Sequence, residues 1–282
     1  MSRTAAPPFP ALMGIVNVTP DSFSDGGLYN DFAAAVQRGE RLAAAGAAII
    51  DVGGESTRPN FQPVSAAEEQ RRVIPVVEAL SNLGYFVSID TTRAETARAA
   101  LDAGAWMVND ISGGLFDPEM ASLLARRRCW VCLGHIFPEN ASRERLHRPY
   151  TAGGDTGGDT GGNSGGDAGN NVIDTVDIVE KVLFDLRVRR DCFLAAGVAC
   201  QKIVLDPGIG FGKTTEQNLA ILDRIEEFSA LGCRLAVGLS RKRFLGGATL
   251  REKDRRTALW TDWLIRHRVD IIRTHQISHG AG

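Results

Sequence analysis

Eight short apolar runs, each ending at a polar residue and followed by a helix-length segment, constrain this chain more than any other feature. The runs are Leu12–Val16, Ile49–Val52, Phe86–Ile89, Trp106–Val108, Trp130–Leu133, Ile203–Leu205, Leu235–Val237 and Ile271–Ile272. They are rich in β-branched and aromatic residues, as strands buried on both faces should be. Helical patterns lie between them at Phe32–Ala45, Ala66–Leu83, Ala94–Ala103, Pro118–Arg127, Val172–Ala196, Glu216–Leu231 and Lys253–His267. Asp31, Ser65 with Glu68, and Asp117-Pro118 are candidate start signals, and Gly46, Gly84, Gly104, Gly197 and Gly232 are candidate stops. Every crossover is long enough to join parallel strands, which predicts an α/β fold of the (β/α)8 barrel type. The strand-end residues are Asn17, Asp51 with Glu55, Asp90, Asn109 with Asp110, His135, Asp206, Ser240, and Arg273 with His275. A barrel would gather them at one mouth, whereas an open doubly wound sheet would string them along an edge. Only seven residues follow His275, so the eighth helix is expected to be missing.

A single barrel domain over residues 1–282 accounts for the length. Lys and Arg number 32 against 34 Asp and Glu, which offers no basis for nucleic-acid or membrane-surface binding. No run approaches the ~18 apolar residues of a membrane span, and Met1–Pro10 lacks the pattern of a signal peptide. Five scattered cysteines suit the reducing cytoplasm better than a disulfide framework. Cys129 and Cys132 form a CxxC, but the run Trp130–Leu133 reads as a buried strand in which cysteine packs as a small hydrophobe. Nine of the 31 glycines fall between residues 153 and 170. That tract has no residue able to anchor a core and is expected to be a flexible surface insertion. A calcium-binding repeat is disfavoured because its apolar strand position is missing.

Asp90, Asn109 and Asp206 each end an apolar run. A carboxylate in a barrel mouth can accept two side-by-side hydrogen bonds from a ring bearing an amino group next to a ring N–H. The competing reading is pairing with Arg or Lys of the chain itself. Cationic groups come from other loops: Arg58 after strand two, Lys242 with Ser240 after strand seven, and Arg273 with His275 at strand eight. Barrels commonly bind phosphate after strands seven and eight. The segment Asp206-Pro-Gly-Ile-Gly-Phe-Gly-Lys213 is not a P-loop, because its spacing is wrong. Its glycines are expected to let backbone approach a flat ligand closely. Together these groups suggest a heteroaromatic substrate carrying phosphate or diphosphate.

Two longer motifs narrow this further. Met13-Gly-Ile-Val-Asn-Val-Thr-Pro-Asp-Ser-Phe-Ser-Asp-Gly-Gly27 and Ile50-Asp-Val-Gly-Gly-Glu-Ser-Thr-Arg-Pro59 resemble the two signatures of the dihydropteroate synthases, a pterin-binding family. Val87–Thr91, Val108–Ile111, Leu205–Lys213, Gly238–Leu245 and Ile272–His275 match in family order. The resemblance implies condensation of 7,8-dihydropterin-6-ylmethyl diphosphate with 4-aminobenzoate, giving 7,8-dihydropteroate and diphosphate. It implies that Asp90, Asn109 and Asp206 hold the pterin ring, with Lys242 at its far edge. It implies that Asn17 contacts Mg²⁺ on the diphosphate, and that Thr57, Arg58, Arg273 and His275 hold the leaving group. It implies that Ser240 belongs to the same substrate site and that Phe23 and Pro59 close over 4-aminobenzoate. Asp90, Asp206, Lys242 and Arg273 are the expected catalytic set. Sulfonamides are implied as inhibitors, and a homodimer through the last helices as the assembly. Gly134 stands where the family usually has a larger apolar residue, which implies a looser pterin pocket. The Asp254–Arg268 segment is bulkier and more charged than the family's small-residue helix. A corrinoid-dependent pterin methyltransferase and a non-catalytic pterin-binding paralogue are the alternative readings. Glu55–Pro59 and Ser240–Lys242 argue against the first.

Overall fold

Period-two alternation along each strand decides which residues line the barrel interior and which meet the helices. In the computed structural model, residues 6–19, 27–55, 64–142, 146 and 177–277 are described. Strands β1 (Ala11–Asn17), β2 (Ile49–Gly53), β3 (Phe86–Asp90), β4 (Met107–Asp110), β5 (Trp130–Gly134), β6 (Ile203–Asp206), β7 (Arg234–Gly238) and β8 (Ile271–Thr274) close a parallel barrel in chain order. Helices α1 (Gly27–Ala44), α2 (Ala66–Asn82), α3 (Ala94–Asp102), α4 (Glu119–Arg127), α5 (Ile178–Ala195), α6 (Thr215–Asp223) and α7 (Leu250–Arg266) alternate with them. Among the described residues no helix follows β8. The predicted fold is the observed one.

Two cores result. The larger lies between sheet and helices and contains Val16, Ile50, Val52, Val87, Ile89, Leu133 and Leu205 against Leu42, Val73, Leu80 and Leu186. The smaller fills the lower barrel with Ala11, Met13, Ile49, Met107, Trp130, Cys132, Val204, Ala236 and Ile271. Cys132, 3% exposed, packs there as a small hydrophobe. Trp130 stacks on Trp106 at 5.1 Å and tilts against Phe9 at 5.8 Å, closing the lower end. Above that plug the same inward positions turn polar. The register pairs Asp51 with Ser88, Asp90 with Asn109, and Gly134 with Asp206.

The local signals hold with three differences. The five predicted stop glycines all adopt positive φ, between 69° and 106°. Ser65 caps α2 by accepting the Glu68 N–H at 3.2 Å, an interaction worth about 1 kcal/mol. The Glu68 carboxylate, however, turns to Arg71 and Arg72 instead of closing a capping box. Asp117 caps twice, taking the Ala94 N–H at 2.7 Å and the Glu119 N–H at 3.0 Å. Asp31 is not a cap, because α1 starts at Gly27 and carries it inside the helix. The predicted helix over 216–231 breaks at Arg224, where α6 gives way to a tighter 3₁₀ segment, Ile225–Leu231.

Candidate active site

Asp51 lies deepest in the polar layer and is fully buried. Its Oδ2 accepts the Arg273 Nε–H at 2.5 Å and the Asn109 Nδ2–H at 3.1 Å. Arg273 also donates through Nη2 to Asp90. One guanidinium from β8 therefore ties carboxylates of β2 and β3, and β4 joins through Asn109. A buried charge survives only when it is paired in this way. Burial raises Asp90 to about 7, Arg273 pulls the other way, and the like charge of Asp51 adds to the rise. For Arg273 the cost of burial is outweighed by Asp51 and Asp90, which push its pKa up. Asn109 spends one amide N–H on Asp51, so its other N–H and its carbonyl oxygen remain to be satisfied.

Asp206 enters from the opposite wall. Its Oδ1 accepts the Gly208 N–H at 2.7 Å. Burial raises its pKa, opposed by that bond and by Lys242. Lys242 places its ammonium 4.4 Å from the Phe211 ring centre. Burial lowers it to about 8, although Asp206 favours its charge. His275, at the end of β8, donates its N–H to Ser240 Oγ after β7 at 3.1 Å, and its Nδ1 lies 3.0 Å from the same oxygen. The His275 carbonyl accepts from Arg38 of α1. Ser240 thus orients the imidazole. Arg241, beside it, is clamped to Asp254 of α7 at 2.9 Å. Asn17 stands half-buried at the end of β1.

The structure brings Asp90, Asn109, Asp206, Lys242 and Arg273 into one mouth with Ser240 and His275. Phe23, Thr57, Arg58 and Pro59 lie outside the described residues, as does the 153–170 tract. Both stems of the 56–63 segment are held by Arg93. It donates to Glu55 at 2.8 Å and to the Val64 carbonyl at 2.6 Å, and it also pairs with Glu69 at 2.6 Å.

Three strand-end readings change. His135 does not face the mouth: its Nε2 is 3.1 Å from Asp185 of α5 and its Nδ1 is 2.9 Å from Lys213. Asp110 also turns away, accepting from Ser112 N and Oγ and from Gly114 N in its own turn. Both are one position out of phase with the inward set, which period two explains. Gly134 opens no space, because a Cβ there would stand 2.6 Å from the Ile111 Cα, so backbone fills the place of the missing side chain. Likewise, Gly208 serves close backbone packing: at φ 66° its Cβ would fall 1.9 Å from the His135 carbonyl oxygen. The residues that sequence reasoning left without a role are Asp51 and Lys213. Their signal was an acid and a base inside apolar strand-and-turn segments.

A metal would find few protein ligands here. Among the described residues no three His, Cys, Asp or Glu side chains converge. The Asn17 amide oxygen is a hard donor of the type Mg²⁺ accepts, and Mg²⁺ is commonly held by one or two protein oxygens plus phosphates and water.

Comparison with known proteins follows the same line. Residues 13–275 match the family model described as pterin binding enzyme. A dihydropteroate synthase from Synechocystis is 39% identical, over 94% of this chain and 85% of that protein. The solved Xanthomonas albilineans dihydropteroate synthase in complex with 7,8-dihydropteroate superposes with a TM-score of 0.74 at 34% identity, covering 95% of this chain and 88% of that one. The Yersinia pestis dihydropteroate synthase, solved as a sulfonamide drug complex, gives 0.79 at 33% identity, covering 98% and 93%. With the barrel, the mouth and both signatures in agreement, the chain belongs to the pterin-binding enzyme family, among the dihydropteroate synthases.

Proposed function

We propose that this chain joins 7,8-dihydropterin-6-ylmethyl diphosphate to 4-aminobenzoate, releasing diphosphate and forming 7,8-dihydropteroate. The observation that carries this reading is the convergence of two acids and an amide with a lysine and an arginine in one barrel mouth. Asp90, Asn109 and Asp206 accept the ring N–H groups, and Lys242 covers the opposite edge. Arg273 and His275, with Thr57 and Arg58, take the diphosphate. Ser240 keeps the His275 ring in place, and Phe23 and Pro59 close over 4-aminobenzoate. Asn17 is the residue that would hold Mg²⁺, which supplies charge neutralisation of the leaving diphosphate.

The reaction is dissociative in this reading. The C–O bond to diphosphate breaks with its electron pair leaving on oxygen, and the pterin carries the resulting positive charge. Asp90 and Asp206 lie where that charge grows and stabilise it without reorganising. The 4-aminobenzoate nitrogen then forms the new C–N bond and loses a proton. Homodimer formation belongs to the same proposal and is supported by Leu259 and Ile265, which α7 leaves exposed. Light scattering at twice the chain mass is expected, and the chain mass alone would refute it. A cytoplasmic location suits the free cysteines. The deciding assay is diphosphate release that needs both substrates. Methyl transfer from a pterin, or pterin binding without turnover, would replace the proposal with one of the two alternative readings.

A further inference from the structure

Lys213 is a buried cation that the condensation does not use. It follows the Asp206–Gly212 turn, and its side chain returns beneath that turn. The Nζ lies 2.9 Å from His135 Nδ1, 3.0 Å from the Gly208 carbonyl and 3.2 Å from the Phe211 carbonyl. With the His135 carbonyl at 3.5 Å, four acceptors surround an ammonium that has three protons, and the His135 carbonyl is the most distant of them. Accepting at Nδ1 puts the His135 proton on Nε2, aimed at Asp185, which Lys181 holds at 2.7 Å. Asn218, also buried, fixes the other side of the turn. Its Oδ1 takes the Gly210 N–H at 2.7 Å and its Nδ2 reaches the Lys213 carbonyl at 3.2 Å. Burial lowers Lys213 to about 7, Lys242 adds to the fall, and Asp206 and Asp185 oppose it only in part.

We infer that Lys213 is a positioning residue of the pterin pocket: hung on His135 and Asp185, it fixes the turn that presents Asp206 and seats Phe211 under Lys242. The inference rests on the pterin reading of the site. Two of its bonds go to carbonyls of that turn, Gly208 and Phe211, and the Gly208 N–H bonds Asp206 itself. Losing the ammonium frees the turn, so Asp206 and Phe211 lose their fixed place while the barrel walls keep theirs.

The test is calorimetric titration of a pterin ligand into unmodified protein and Lys213→Met. Stoichiometry counts folded sites, and the dissociation constant reports the pocket. A site number near one with affinity weakened about tenfold or more is expected. Lys213→Arg, which keeps the charge, should recover part of the loss. Unchanged affinity at full stoichiometry overturns the role of Lys213. Absence of pterin binding in the unmodified protein overturns the site reading instead. If Lys213→Met does not fold, the ¹⁵N spectrum of the unmodified protein at neutral pH decides. His135 should be neutral with its proton on Nε2, and saturating pterin should move its Nδ1 signal. An imidazolium, or a signal that pterin leaves unmoved, overturns the inference.

Discussion

Asp206, Asp90 and Arg273 are each held in a way that makes a different measurement decisive. Asp206 uses one oxygen on the Gly208 N–H, and in the proposed function the other accepts from the pterin. Asp206→Asn places an amide donor against ligand donors. Calorimetry should show pterin affinity reduced by about 1.5–3 kcal/mol, the worth of a charge-assisted hydrogen bond. Unchanged affinity would remove Asp206 from the pterin site. For Asp90 the sign follows from its raised value of about 7. Above that pH it is a carboxylate and accepts N–H groups; below it, the proton occupies an acceptor. Pterin affinity, corrected for titration of the ligand itself, should therefore weaken as pH falls through 7, approaching ~tenfold per unit. A flat profile from about pH 5 to 8 would show that Asp90 binds in either state. Arg273 already spends Nε on Asp51 and Nη2 on Asp90. Lysine has no planar fork with which to hold both acids and an anion. Diphosphate affinity of Arg273→Lys should drop on the order of tenfold. Equal affinity would make Arg273 an internal ion-pair partner alone.

At the scale of elements, strand ends supply the chemistry and the first turn after each strand supplies the aim. The 3.6-residue and two-residue periods were readable because every strand is short, apolar and bounded. All eight predicted strands occur, each differing from prediction by no more than two residues at either end. Element ends were less legible where long-range partners decide them, as at Arg224, whose guanidinium reaches Asp177, Glu180 and Glu227. The 153–170 insertion follows β5 and offers neither apolar anchors nor cations. Loop length adds closure entropy slowly, about 0.6 kcal/mol per doubling. Replacing the tract with a short Gly-Ser link should leave the melting temperature and turnover nearly unchanged. Calcium-dependent protection of the tract from proteolysis would refute this and give its aspartates a structural ion.

For the whole molecule, the closed barrel places the acids on β2, β3 and β6 and the cations on the β7 and β8 side around one opening. Pterin and 4-aminobenzoate then need separate subsites that meet at the reacting carbon. Sulfonamides share the aniline ring and set sulfonyl oxygens where the carboxylate lies. Steady-state kinetics should show them competitive with 4-aminobenzoate. Competition with the pterin diphosphate instead would contradict the two-subsite layout. No helix among the described residues is long and apolar enough to cross a membrane.

The sequence by itself determined the barrel, its strand order and the convergence of Asp90, Asn109, Asp206, Lys242 and Arg273, because local periodicity and strand-end position are properties of neighbouring residues. The tertiary structure decided what each strand-end group touches. Asp51 acquires its meaning only when β8 closes against β1 and brings Arg273, 222 residues away, onto its carboxylate. Strand alternation turns His135 from the mouth, but its meeting with Asp185 of α5 and with Lys213, folded under the turn it ends, comes from contacts that no local pattern encodes. The space at Gly134 closes because backbone from a neighbouring turn moves into it. Pairing of buried charges and filling of space depend on which segments meet, and that is known only once the barrel has closed.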